Sequence, residues 1–141
     1  MDKQIELLQW KEIADTDFTH AVLTTKYSWP VPYAIVSFHC QQAVEKFLKW
    51  FLVLNNIEPP KTHDLAELEK LCETLEPQFS SIIDKCSFLT RFAVRTRYPN
   101  EVAIEKQDMD KALEYTKSIR DFFHDLFPDH FEELKLDGMT K

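Results

Sequence analysis

An all-α fold, built as an up-down bundle of about five helices, is what this sequence predicts. Three observations carry the prediction. Gly138 is the only glycine in 141 residues, whereas tight hairpin turns depend on glycine or asparagine at positive φ. The seven prolines, at positions 30, 32, 59, 60, 77, 99 and 128, leave long intervals free of helix breakers. Within those intervals the apolar residues recur at helical spacing. At 44% hydrophobic and 29% charged the composition is that of a globular domain, and residues 1–141 form one domain on this reading, without repeats or low-complexity tracts.

The first helix runs from about Lys3 to Lys26, where Ile5, Leu8, Ile13, Phe18, Val22 and Leu23 fall mostly three to five residues apart. Trp29 to Pro32 ends it, and Pro32 suits the first position of the next helix, where a missing N–H costs nothing. That second helix, Pro32 to Asn55, has the clearest pattern. Val36, Cys40, Ala43, Val44, Phe47, Leu48, Trp50, Phe51 and Leu54 fill a broad apolar arc, with His39, Gln42, Glu45, Lys46 and Lys49 opposite. So wide an arc places this helix at the centre of the bundle. Asp64 is the expected N-cap of a short third helix, Leu65 to Leu75, with Glu67 completing a capping box. A fourth segment opens at Pro77 and runs to about Thr96 with Phe79, Ile82, Ile83, Cys86, Phe88, Leu89, Phe92 and Ala93 inward. After a polar loop, Asn100 to Gln107, Asp108 caps a last helix that stops before Pro128, and the tail from Asp129 is expected to fray.

A net charge of −7 argues against a surface that binds phosphate backbones everywhere, though not against a local basic patch. Cys40, Cys72 and Cys86 are odd in number and lack C-x-x-C spacing, so they are expected as buried reduced thiols of a cytoplasmic protein. The polar start has no signal pattern, and the longest apolar stretch, Phe47 to Leu54, is too short to span a bilayer. No glycines are available for a phosphate loop. Asp121, His124 and Asp125 lack the second carboxylate-x-x-His copy that a di-metal bundle needs, so neither metal nor cofactor is expected.

The run Phe38-His39-Cys40-Gln41-Gln42-Ala43-Val44-Glu45-Lys46-Phe47-Leu48-Lys49 resembles the second helix of small prokaryotic HEPN proteins. Thr62-His63-Asp64-Leu65 and Arg97-Tyr98-Pro99 resemble two further motifs of that family, in the same order. The resemblance implies a helical bundle that usually forms a homodimer and is often paired with a minimal nucleotidyltransferase as a toxin–antitoxin system. Many members are metal-independent ribonucleases using an arginine and a histidine separated by four to six residues. No such spacing occurs here; Arg120 and His124 are separated by three residues.

The candidate ligand site is a basic cluster, Arg91, Arg95, Arg97 and Tyr98, bordered by His39, which would take an anion or nucleotide. The same arginines would also suit the bare carbonyls and negative dipole of a helix end. His39 is either an acid–base group or an interhelical histidine, Glu45 and Lys46 are either site residues or a solvated face, and His63 is expected to cap the third helix locally. Arg120 and His124 fit either a phosphodiester site or a surface pair. The function expected is therefore a nucleotide- or RNA-binding module with a nucleotidyltransferase partner. The alternatives are a divergent ribonuclease, using Arg120 with His124 or Arg97 with His39, and a structural dimeric protein.

Overall fold

Where the helical pattern breaks, backbone hydrogen bonding passes to caps, and these fix the elements. The computed structural model of the chain describes residues 2–94 and 102–131. Five α-helices occur in order: α1 (Lys3–Tyr27), α2 (Tyr33–Leu54), α3 (Leu65–Leu75), α4 (Ile83–Thr90) and α5 (Lys106–Leu126). A 3-10 turn, Pro77–Ile82, runs directly into α4, and no strand occurs among the described residues. The all-helical prediction holds.

Asp2 caps α1 by accepting from the amides of Gln4 and Ile5 at 2.8 and 3.3 Å. Pro32 proves to be the N-cap of α2 rather than its first residue. At the other end of α2, Asn56 takes a φ of 63°, the left-handed position usually given to glycine. The Ile57 and Asn56 amides then donate to the carbonyls of Leu52 and Val53, both at 2.9 Å. Asparagine does here what the chain's missing internal glycines would have done.

Asp64 caps α3 as expected, through the amides of Ala66 and Glu67. Glu67 does not reach back to the cap, however; its carboxylate accepts from Thr62 Oγ1 at 3.1 Å. The fourth helix is shorter than its apolar spacing suggested. The amides of Phe92 and Ala93 close back on Leu89 and Thr90, a tight turn that drives Phe92 into the core. Helix α5 begins two residues earlier than its expected cap. Asp108 is its third residue and accepts from the amide of Glu105, the actual N-cap, at 2.9 Å.

Helix α2 is the centre of the bundle, buried along most of its length and packed against each of the other four helices. Fully buried Ala14 and Ala21 let α1 lie close along it. At its C-terminal half Trp50 meets Phe131, Phe127 and His130 edge-on at centroid distances of 4.6–5.2 Å. Phe131 is buried and Lys11 donates to the His130 carbonyl at 2.8 Å, so residues 129–131 are docked where fraying was expected. No described helix is long and apolar enough to cross a membrane.

All three cysteines are buried and free. Burial pushes the Cys40 thiol up to about 12 and raises Cys72 and Cys86 as well. A thiol-specific reagent at neutral pH is therefore expected to label none of them before unfolding and all three in denaturant. Rapid labelling of a native cysteine would contradict this packing.

Candidate functional site

Gln41, Glu45 and Lys49 stand one above another on α2, because residues four apart share a helix face. That face points inward, with Gln41 fully buried and Glu45 only 2% exposed. A carboxylate removed from water needs partners, and Glu45 has them on both oxygens. Its Oε2 accepts from Lys49 Nζ at 3.0 Å, and Lys46 Nζ lies 3.5 Å away. Its Oε1 is 2.8 Å from Nδ1 of His63, which precedes α3. Gln41 Nε2 donates to the carbonyl of His63 at 2.9 Å, and Gln42 links Gln41 to Lys46. One polar network thus joins the Gln-Gln-x-x-Glu-Lys-x-x-Lys run of α2 to the Thr-His-Asp entry of α3.

Burial works to raise the Glu45 carboxyl, but the bonds from His63 and Lys49 and the charge of Lys46 outweigh it and hold the group below its ordinary value. An ionised carboxylate only accepts hydrogen bonds, so the His63 proton sits on Nδ1. Nε2 is then an acceptor on a ring that is 68% exposed. Of the two readings left open for Glu45 and Lys46, the solvated face does not hold. One expectation is corrected: His63 reaches across to α2 instead of capping its own helix, and Asp64 does the capping.

The network extends to α1. His39 Nδ1 lies 3.7 Å from Asp17 Oδ1, with the His20 ring edge-on to it at 5.9 Å. Burial pushes the Asp17 carboxyl up, while Lys46, His39 and His20 pull it back. His39 is thus an interhelical histidine.

Arg91 follows the last residue of α4. Its Nε donates to the Phe88 carbonyl at 3.1 Å, and its guanidinium lies 4.3 Å from the Phe88 ring centroid. The residue before it, Thr90, accepts from the Leu65 amide at 3.0 Å, tying the end of α4 to the start of α3 beside His63. Arg95, Arg97 and Tyr98 lie outside the described residues. His39 and Arg91 belong to different elements, α2 and the end of α4.

A family model described as HEPN domain matches residues 7–126, which takes in most of α1, all of α2 to α5 and both stretches that meet at Glu45. The chain belongs to the HEPN family. No curated protein and no solved structure matches it. Membership carries a general nucleotide- or RNA-related function, and HEPN domains commonly dimerise.

In this HEPN domain Arg120 and His124 are not a plain surface pair. Both are half-buried and face Asp15 of α1, whose carboxyl is raised by burial and pulled back by Arg120, His124 and Lys11. Arg120 and Asp15 share a groove of about 430 Å³ with Phe18, Thr19, Val22 and Leu23. Asp121 accepts from Lys117 at 3.1 Å, and no group of three or more metal-ligating side chains occurs among the described residues.

Sequence reasoning missed Gln41, Asp17 and the inward role of Glu45. A usable signal existed for Glu45, since a glutamate four residues ahead of Lys49 is the favoured helical ion pair. No local signal marked Asp17, because only the packing of α1 on α2 brings it to His39.

Proposed function

We propose that this HEPN domain is a nucleotide- or RNA-binding module that acts as a homodimer beside a nucleotidyltransferase in a toxin–antitoxin-like pair. Its ligand site is the cluster of Arg91, Arg95, Arg97 and Tyr98, with His39 at its border. The observation that carries this reading is the joint at Thr90. It fixes the end of α4, with exposed Arg91, against the α3 entry and the Glu45 network. An arginine presented from a braced helix end suits bidentate contact with phosphate.

The dimer reading draws on exposed apolar surface, not on the large aromatics of the core, where Phe47, Phe79, Phe92, Phe123 and Phe131 are buried. Part of the exposed apolar surface lies along α1, where Ile5, Leu8, Ile13 and Leu23 face outward.

The test is calorimetric titration with ATP and with short RNA at two salt concentrations, alongside mass by light scattering. Binding that weakens with salt and disappears in Arg97→Ala, in a protein of dimeric mass, is the expected result. Absence of anion binding, with Arg97→Ala merely lowering the melting temperature, would make the cluster a helix cap and overturn the reading. For the pair, co-purification with a nucleotidyltransferase encoded beside this chain is expected.

A further inference from the structure

Two aromatic rings lie between the exposed sides of α4 and α5. Phe88 and Tyr115 are half-buried and meet edge-on at 5.3 Å. Three cations gather around them. Arg91 lies over Phe88 at 4.3 Å, Lys111 Nζ is 4.9 Å from Phe88 and 5.3 Å from Tyr115, and Lys85 Nζ is 5.7 Å from Tyr115.

The other lysines of α5 behave differently. Lys106 pairs with Asp110 at 2.7 Å and Lys117 with Asp121 at 3.1 Å, as i, i+4 neighbours on a helix do. Lys85 and Lys111 form no ion pair among the described residues. Positive charge is therefore concentrated at one aromatic spot on a chain of net charge −7. The groove next to it, about 580 Å³ between α4 and α5, contains both signs, including Lys85, Lys117, Glu114 and Asp121.

We propose that this spot, Lys85, Phe88, Arg91, Lys111 and Tyr115, holds single-stranded RNA, with the lysines on phosphates and bases stacked against the rings and the Arg91 guanidinium. The proposal rests on the nucleotide- or RNA-binding reading above and names the ligand class and additional residues for it. Cations and π-faces together fit a single strand, whose bases are free to stack. A duplex conceals those faces and presents mainly charge, and three cations on an acidic surface give it little hold. An acidic peptide would use the cations and leave the rings idle.

The test is fluorescence anisotropy with a labelled single-stranded RNA of about ten nucleotides, at about 50 and 150 mM salt. The double variant Lys85→Gln/Lys111→Gln is expected to bind about tenfold more weakly and to lower the salt slope by roughly 1.4. Tyr115→Leu is expected to weaken binding about tenfold with the slope unchanged, through lost stacking. Lys106→Gln/Lys117→Gln removes two lysines from the same helix and is expected to change little. Wild-type binding that both the lysine double variant and Tyr115→Leu retain would overturn this site and leave the general reading standing. No RNA binding by the wild type would end this proposal and the RNA half of the reading above, leaving only nucleotide binding to be tested with ATP. Equal affinity for a duplex, or for an acidic peptide lost in the same lysine variant, would replace the single-strand proposal with simple charge attraction. Should Tyr115→Leu fail to fold, the partly exposed lysines still decide the matter.

Discussion

Glu45→Gln is expected to destabilise the fold by about 3 kcal/mol at neutral pH, the cost of breaking a buried ion pair by removing one partner. The carboxylate is all but inaccessible, and among the described residues it is the only acid in direct contact with the Lys49 and Lys46 ammonium groups, Asp17 acting on Lys46 from beyond ion-pair distance. Glutamine can still accept from His63, but its amide cannot balance two cations in so little water. Replacing both ends of the close pair, as Glu45→Leu with Lys49→Met, is expected to restore much of the loss, since no charge is then left stranded.

The pH dependence has a definite sign. Glu45 is held below its ordinary value of 4.5 in the folded state. Its contribution is therefore full above 4.5 and is lost as pH falls through the lower folded-state value. Urea denaturation from pH 7 downward checks both points. Wild-type stability should drop in the acid window, and the Glu45→Gln profile should lack that part of the drop. Equal urea midpoints for the two proteins at pH 7 would show that the network adds nothing to the fold.

Glu69 is the opposite case and is expected to yield a stabilising substitution. It is fully buried on α3, and among the described residues its carboxyl oxygens have no hydrogen-bond partner other than the neighbouring Glu73 carboxyl, a second acid. Burial, with the Glu73 carboxylate adding to it and Lys70 opposing, pushes the group from 4.5 up to about 7. The buried thiols of Cys72 and Cys86 lie in its field and supply no positive charge. Because the folded-state value is raised, the group is least harmful below 4.5. Its cost grows as pH rises from 4.5 to about 7 and then stays constant. Glu69→Met retains the length and removes the charge, so it should raise stability at pH 8 by roughly 1–3 kcal/mol and by distinctly less at pH 5. A gain that is equal at both pH values would mean that packing, not ionisation, accounts for the change.

The sequence by itself determined the helical class, the central place of α2 and most of the helix ends. These rest on local physics: the spacing of apolar residues, the positions of proline, and caps such as Asp64. Where local signals competed, they misplaced a boundary. The apolar run after Pro77 extends past Thr90, but the helix stops there because a tight turn buries Phe92 and Thr90 is engaged by the amide of Leu65.

The sites were less legible. Helical spacing put Gln42, Glu45, Lys46 and Lys49 on a polar side and suggested solvent beyond it. Only the packing of α1 and the α3 entry against that side decided that Glu45 is buried and that His63 and Asp17 belong to its network. The aromatic spot was equally hidden, since Phe88 fell on the inward side of its segment and nothing in the sequence singled out Lys111 or Tyr115. Their neighbours come from a second helix, and periodicity along one helix contains no information about which residues of another will face it.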